Sequence, residues 1–157
     1  MGQWQKIGEA DGASGQPAER FMAHSEACAE YGITPQQEDY LAGWQRGLIY
    51  YCTPRNAIRE GLAGHGYRGV CPLPIDAAFN DLHGRAHAVY RARQDLETLE
   101  REIRDREHER RSDKTSAERR KEIGEDLRRL DYRAHQSRDA LREREMDLDQ
   151  ATRTVRF

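Results

Sequence analysis

The sequence predicts an all-α protein: a glycine-rich head of short helices followed by a long antiparallel helical hairpin of coiled-coil character. Three observations carry that expectation. The 157 residues are very polar, with 36% hydrophobic, 34% charged and a mean hydropathy of −1.04. A single compact ball needs more apolar residues than this, whereas long solvated helices do not. The chain also changes character near residue 74, being rich in Gly, Pro and aromatics before it and almost free of them after it. Beyond that point apolar residues recur at helical spacing through dense Glu and Arg. The predicted domains are therefore 1–74, a stapled helical head, and 75–157, a charged two-helix hairpin.

In the head, Pro17 can open a helix that carries Phe21, Ala27 and Cys28 and stops at Gly32. In "ITPQQ", Thr34 fits an N-cap, Pro35 the first helical position and Gln37 the return half of a capping box. The next helix carries Tyr40, Leu41, Trp44, Leu48 and Ile49 and ends near Cys52, with one face expected to be buried. A short repeat runs through this half. "WQKIGEADG" (4–12), "YLAGWQRG" (40–47), "AIREGLAG" (57–64) and "FNDLHGR" (79–85) each set a large apolar residue before a glycine. Helical glycine costs about 1 kcal/mol relative to alanine. Its repeated use predicts another backbone passing close by, as at small-residue helix crossings. Asp11, beside Gly12, is expected to make a turn. Neither G-x-x-x-x-G-K-[ST] nor G-x-G-x-x-G occurs, which argues against a phosphate-cradling loop.

After "PLP", residues from about Ile75 to Arg111 can run as one helix, with Leu82, Ala86, Val89, Leu96, Leu99 and Ile103 in spaced positions. The polar break "RRSDKTSAE" offers Thr115 or Ser116 as a fresh N-cap, and Thr115 with Glu118 fits a capping box. A second helix then carries Ile123, Leu127, Leu130, Ala134, Leu141, Leu148 and Val155. Each segment is on the order of 55 Å long, and the short turn between them predicts an antiparallel hairpin. Its seam is poor, with His135, Ser137 and alanines among the leucines. Such a hairpin is expected to draw on a partner, a second copy or its own Glu–Arg pairs.

Charge and cysteine content bound the function. A net charge of −2 supplies no bulk attraction to nucleic acid or to an anionic membrane, and the alternating signs of the tail describe a solvated face. No apolar run approaches the roughly 20 residues that span a bilayer. No secretion signal is legible, and "MGQW" reads as a start that replaced one. Three cysteines admit one disulfide and one leftover thiol, or no bridge at all, and their spacing fits no zinc pattern.

The stretch "YYCTPRNAIREGLAGHGYRGVCP" (50–72) holds two of those cysteines. A bridge from Cys52 to Cys71 would close a loop worth on the order of 3 kcal/mol, useful to a half with a thin core. Cys28 remains an alternative partner for Cys71. As a rival, Cys52 with His65 would make a nucleophile and base, but no orienting acid or oxyanion hole is identifiable. His83 and His87, four apart on a helix, form a candidate metal pair without a fixed third ligand. The expectation is no metal, no cofactor and no catalytic residue.

The order and spacing of "W-x-x-I-G-x-x-D-G-x-x-G-x-P-A-x-R" (4–20), "H-S-E-A-C-A-E-Y-G-I-T-P" (24–35), "Y-x-A-G-W-x-x-G-L-x-x-Y-C-T-P-x-N" (40–56) and "G-x-x-G-x-x-Y-x-G-V-C-P" (61–72) carry a resemblance. They resemble small proteobacterial lipoproteins grouped as a domain of unknown function, over about residues 4–90. The resemblance implies a periplasmic, outer-membrane-tethered location. It also implies a secretion signal with a lipobox, and often one more cysteine, where this chain has "MGQ"; a mature, trimmed form is expected. It implies no activity.

The expected function is that of a non-enzymatic periplasmic envelope protein acting by protein–protein interaction, in binding, immunity or assembly. Its partner is an unidentified protein or a second copy joined through the hairpin. Nucleic acid is not expected, and membrane attachment only through a lipid anchor that this sequence does not carry. Trp44, Tyr50, Tyr51, Arg55, Asn56 and Tyr67 are the expected recognition patch, since Tyr, Trp and Arg dominate binding hot spots. The alternatives are an envelope hydrolase built on Cys52 and His65 or a histidine metal site, and a glycan- or peptidoglycan-binding module.

Overall fold

The computed structural model describes residues 3–155, and among them it has six helices and no strand: α1 Gln3–Ala13, α2 Arg20–Ala29, α3 Gln37–Tyr51, α4 Pro54–Leu62, α5 Ile75–Arg111 and α6 Ala117–Thr154. The described residues divide into two compact units. One comprises 3–87 with 151–155, the other Ala88–Gln150. The compositional boundary at residue 74 coincides with the start of α5, while the first unit runs on to His87.

The first unit is organised by glycine. α1 carries Gly8 and Gly12 at i,i+4, and α3 carries Gly43 and Gly47 at the same spacing, so each helix presents a flat stripe. The stripes meet. A Cβ on Gly8 would overlap the Tyr40 carbonyl oxygen and lie 2.9 Å from the Trp44 nitrogen. One on Gly43 would come within 2.8 Å of the Gln5 carbonyl carbon, and one on Gly47 within 2.5 Å of the Ala13 nitrogen. Gly61 of α4 makes a third close approach, to the His83 oxygen and Ala86 of α5. Gly84, which shares the sequence pattern, faces open space.

Around the crossing, Trp4, Tyr40, Leu48, Tyr51, Ala57, Phe79, Leu82 and Ala86 form the buried core. Tyr51 stacks on Phe79 at 5.3 Å, and Tyr67 meets the same ring at 4.7 Å. The Cys52–Cys71 disulfide joins the end of α3 to the strap that leads into α5. The loop that it closes contains α4, started by Pro54 at the first turn and by the Thr53 hydroxyl accepting from Asn56 N at 3.3 Å.

Three local expectations are corrected. The Thr34–Gln37 capping box does not form: α3 begins only at Gln37, after a non-helical Gln36, and no side chain caps it. Gln36, at φ −108° and ψ 88°, is not helical, so the first helical turn starts three residues after Thr34 and its hydroxyl is out of reach of the helix N–H groups. At α6 the cap is Ser116, whose Oγ accepts from Arg119 N at 3.2 Å. Thr115 instead donates to the Glu109 carbonyl at 2.6 Å, closing the end of α5. Asp11 makes no turn; it lies within α1.

In the second unit, Leu99, Leu130 and Ala134 are buried together, flanked by Leu96 and Ile103. Ion pairs link the two helices at Arg93–Glu145 (2.7 Å), Arg138–Glu100 (3.0 Å) and Arg119–Glu109 (2.7 Å). The Arg119 fork holds the Glu109 carboxyl below its ordinary range.

Candidate functional site

Asp11 is shared by three polar side chains of the first unit. Reading 4–12 as a helix puts Trp4, Gly8, Asp11 and Gly12 on one face, and that face meets α3. There Asp11 Oδ2 accepts from the Tyr40 hydroxyl at 2.8 Å and pairs with His24 Nε2 of α2 at 2.7 Å. Its Oδ1 lies 3.4 Å from Arg20 Nε. Burial, then the bond to Asp11, pushes the Tyr40 phenol well above its ordinary range and keeps it neutral. Above this cluster Phe21 packs between Trp4 and Tyr40, with ring centroids 5.8 and 5.3 Å away. An Asp-Gly pair reads as a turn, and that reading hides this hub in the sequence. The available signal was the Trp4–Gly8–Asp11–Gly12 helical spacing.

The residues expected to form a recognition patch fall in several places. Trp44 is half-buried, with Nε1 donating to the Gln16 carbonyl at 2.7 Å. Tyr51 is core. Asn56 is only 5% exposed, and its Nδ2 donates to the Tyr51 carbonyl at 2.8 Å. Tyr67 is partly buried: its hydroxyl accepts from Cys71 N at 2.9 Å and donates to Asp76. Burial and that donation raise its phenol far above the ordinary range. Tyr50 and Arg55 are exposed, and with Asn56, Thr53, Arg59 and Ala13 they line a cavity of about 450 Å³.

A second cavity, of about 410 Å³, is apolar. Trp44, Leu48, Ile49, Val70, Pro72 and Ile75 line it beside Cys52 of the disulfide. Three large side chains of this region stand in solvent: Ile49 at 70%, Tyr50 at 68% and Leu73 at 87% exposure. The groove exists because α3 ends at the bridge, and the bridge pins the 70–75 strap alongside it.

The residues weighed for chemistry are engaged elsewhere. Cys52 is oxidised and has no thiol to attack with. His65 is exposed and bound through Nδ1 to Glu60 at 2.8 Å. His83 is buried, and its Nε2 donates to the His65 carbonyl at 2.9 Å. Burial depresses this imidazole, which stays neutral near pH 7. It stacks 6.0 Å from His87, but among the described residues no group of three potential metal ligands converges. Cys28 is a free, half-buried thiol on α2.

These features define a disulfide-containing, all-helical protein with a glycine-crossed aromatic core. The chain belongs to the family described as protein of unknown function (DUF2799), whose model matches residues 3–88. That match spans α1 to α4 and the start of α5, and it ends one residue beyond the first compact unit. No curated protein and no solved structure matches the chain.

Proposed function

We propose that this chain is a non-enzymatic envelope protein of the periplasm, related to proteobacterial lipoproteins, that works by binding another protein. The observation that carries the reading is the apolar groove on α3, lined by Trp44, Leu48, Ile49, Val70, Pro72 and Ile75, with Ile49 itself 70% exposed and Leu73, next in sequence to Pro72, 87% exposed. Large exposed apolar side chains grouped around a concave surface are characteristic of interaction sites. The Cys52–Cys71 bridge supports an oxidising compartment. In this reading residues 88–150 are an antiparallel, coiled-coil-like hairpin, and the first unit is a glycine-rich head. The support is that the partners of Arg93, Glu100 and Glu109 run backwards along α6, as Glu145, Arg138 and Arg119.

The test is site-specific cross-linking in the secreted, tethered protein. Photoreactive residues at Ile49 and at Leu73 should capture the same protein. The adduct should vanish with Ile49→Arg in the Leu73-labelled form and be absent when the probe replaces Met22 on α2. Equal capture from all three positions, or none from Ile49 and Leu73, overturns the reading.

A further inference from the structure

We propose that α2 is a hinged lid on the first unit, which swings off α1 and α3 as one body and uncovers the rings of Trp4 and Tyr40. No residue of α2 is buried. Its half-buried residues, Phe21, His24, Ser25 and Cys28, form a single i, i+3, i+4, i+7 stripe, so one narrow face does all the holding. Two attachments lie on that face. Phe21 sits between Trp4 and Tyr40, and Asp11 holds His24 at 2.7 Å and Arg20 at 3.4 Å. Both lie in the first half of the helix.

The two connections differ. Before α2, Gly15 (φ +65°) is buried against the Tyr51 ring and the Gln16 carbonyl accepts from Trp44 Nε1 at 2.7 Å, so that end is anchored and serves as the pivot; after α2, Gly32, also at +65°, meets nothing within 4 Å. Between Glu30 and Gln36 every residue is exposed except the half-buried Pro35. The helices beneath are the opposite case, because the four-glycine crossing locks α1 and α3 backbone against backbone. Local opening free energy follows buried contact, so α2 is the element that leaves first. Asp11 need not let go of Tyr40 when it does, and the α1–α3 pair keeps its internal bond. The surface then exposed is aromatic, with Trp4 and Tyr40 both buried while the lid is closed. This device stands apart from the partner-binding reading, since the groove on α3 is lined by no residue of α2.

Hydrogen exchange on the full chain, read by mass spectrometry, tests it. Off its support a helix of 10 residues does not hold its own hydrogen bonds, so the amides of residues 21–29 should exchange together, at least about 100-fold faster than the slowest amides of α3, with a rate only weakly dependent on low denaturant. His24→Gln and Arg20→Gln should each speed α2 by about tenfold and leave the slowest α3 amides unchanged. Three results overturn the lid: α2 amides that share the protection and denaturant dependence of α3, a graded loss creeping inward from Ala29, or variants that speed both helices equally.

Discussion

A carboxylate that binds a phenol, an imidazole and a guanidinium together can sit at a helix interface without an unmet charge, and Asp11 does so. Removing one donor should be felt at the level of a charged hydrogen bond. Tyr40→Phe should lose about 1.5–3 kcal/mol of stability, read from the urea midpoint; an unchanged midpoint would show the hydroxyl to be dispensable. His83 gives a pH signature. Burial sets its native pKa below the ordinary 6.5, so on acidification the unfolded chain takes up the proton first. Its contribution is full above that value and is lost as pH falls through it. The urea midpoint should drop between pH 7.5 and 5.5, and His83→Gln should flatten that slope. An unchanged slope in the variant would remove His83 as the cause. Glu60 does not confuse this window. Burial raises its carboxyl, but bonds from His65 and Arg59 outweigh that and leave it below 4.5, so its contribution fades only at lower pH.

For the helices, glycine means different things at different positions, and substitution should separate them. Gly8→Ala or Gly43→Ala drives a methyl into the facing backbone and should cost on the order of 3 kcal/mol or more, because backbone cannot step aside as a side chain can. Gly84→Ala and Gly124→Ala meet nothing within 4 Å and should stabilise α5 and α6 by up to about 1 kcal/mol. Thermal unfolding of the four single variants checks both signs at once. The sequence repeat that contains Gly8, Gly43 and Gly84 could not rank them. Gly43 and Gly84 each follow an apolar residue at similar spacing, yet only Gly43 faces another helix. Caps show the same division. Ser116 is legible beside Ala117, whereas the signal at Thr34 and Pro35 misleads because Gln36 is not helical and α3 starts at Gln37.

At the scale of the molecule the disulfide acts on one compact unit. It closes a separation of 19 residues, so Cys71→Ser or reduction should remove about 3 kcal/mol from the unfolding of the first unit. Exchange protection around Leu99, Leu130 and Ala134 in the second unit should stay as it was. Equal losses in both units would mean that the chain unfolds as one.

The sequence by itself determined that this protein is helical and that its last 80 or so residues are two long solvated helices. Those properties rest on local spacing, propensity and polarity, which neighbours along the chain supply. It offered Cys52–Cys71 as one bridge with Cys28 as an alternative, and the fold closed the first. Only the tertiary structure decided that Asp11 is a hub, that Tyr51 and Asn56 lie inside while Tyr50 and Arg55 lie outside, and that an apolar groove opens beside the bridge. Each of these depends on which face of one helix meets another, and on a crossing close enough to need glycine on both sides. The contacts that decide the faces, such as Tyr40 with Asp11 and Trp44 with Gln16, join distant parts of the chain, and no short window along it contains both partners.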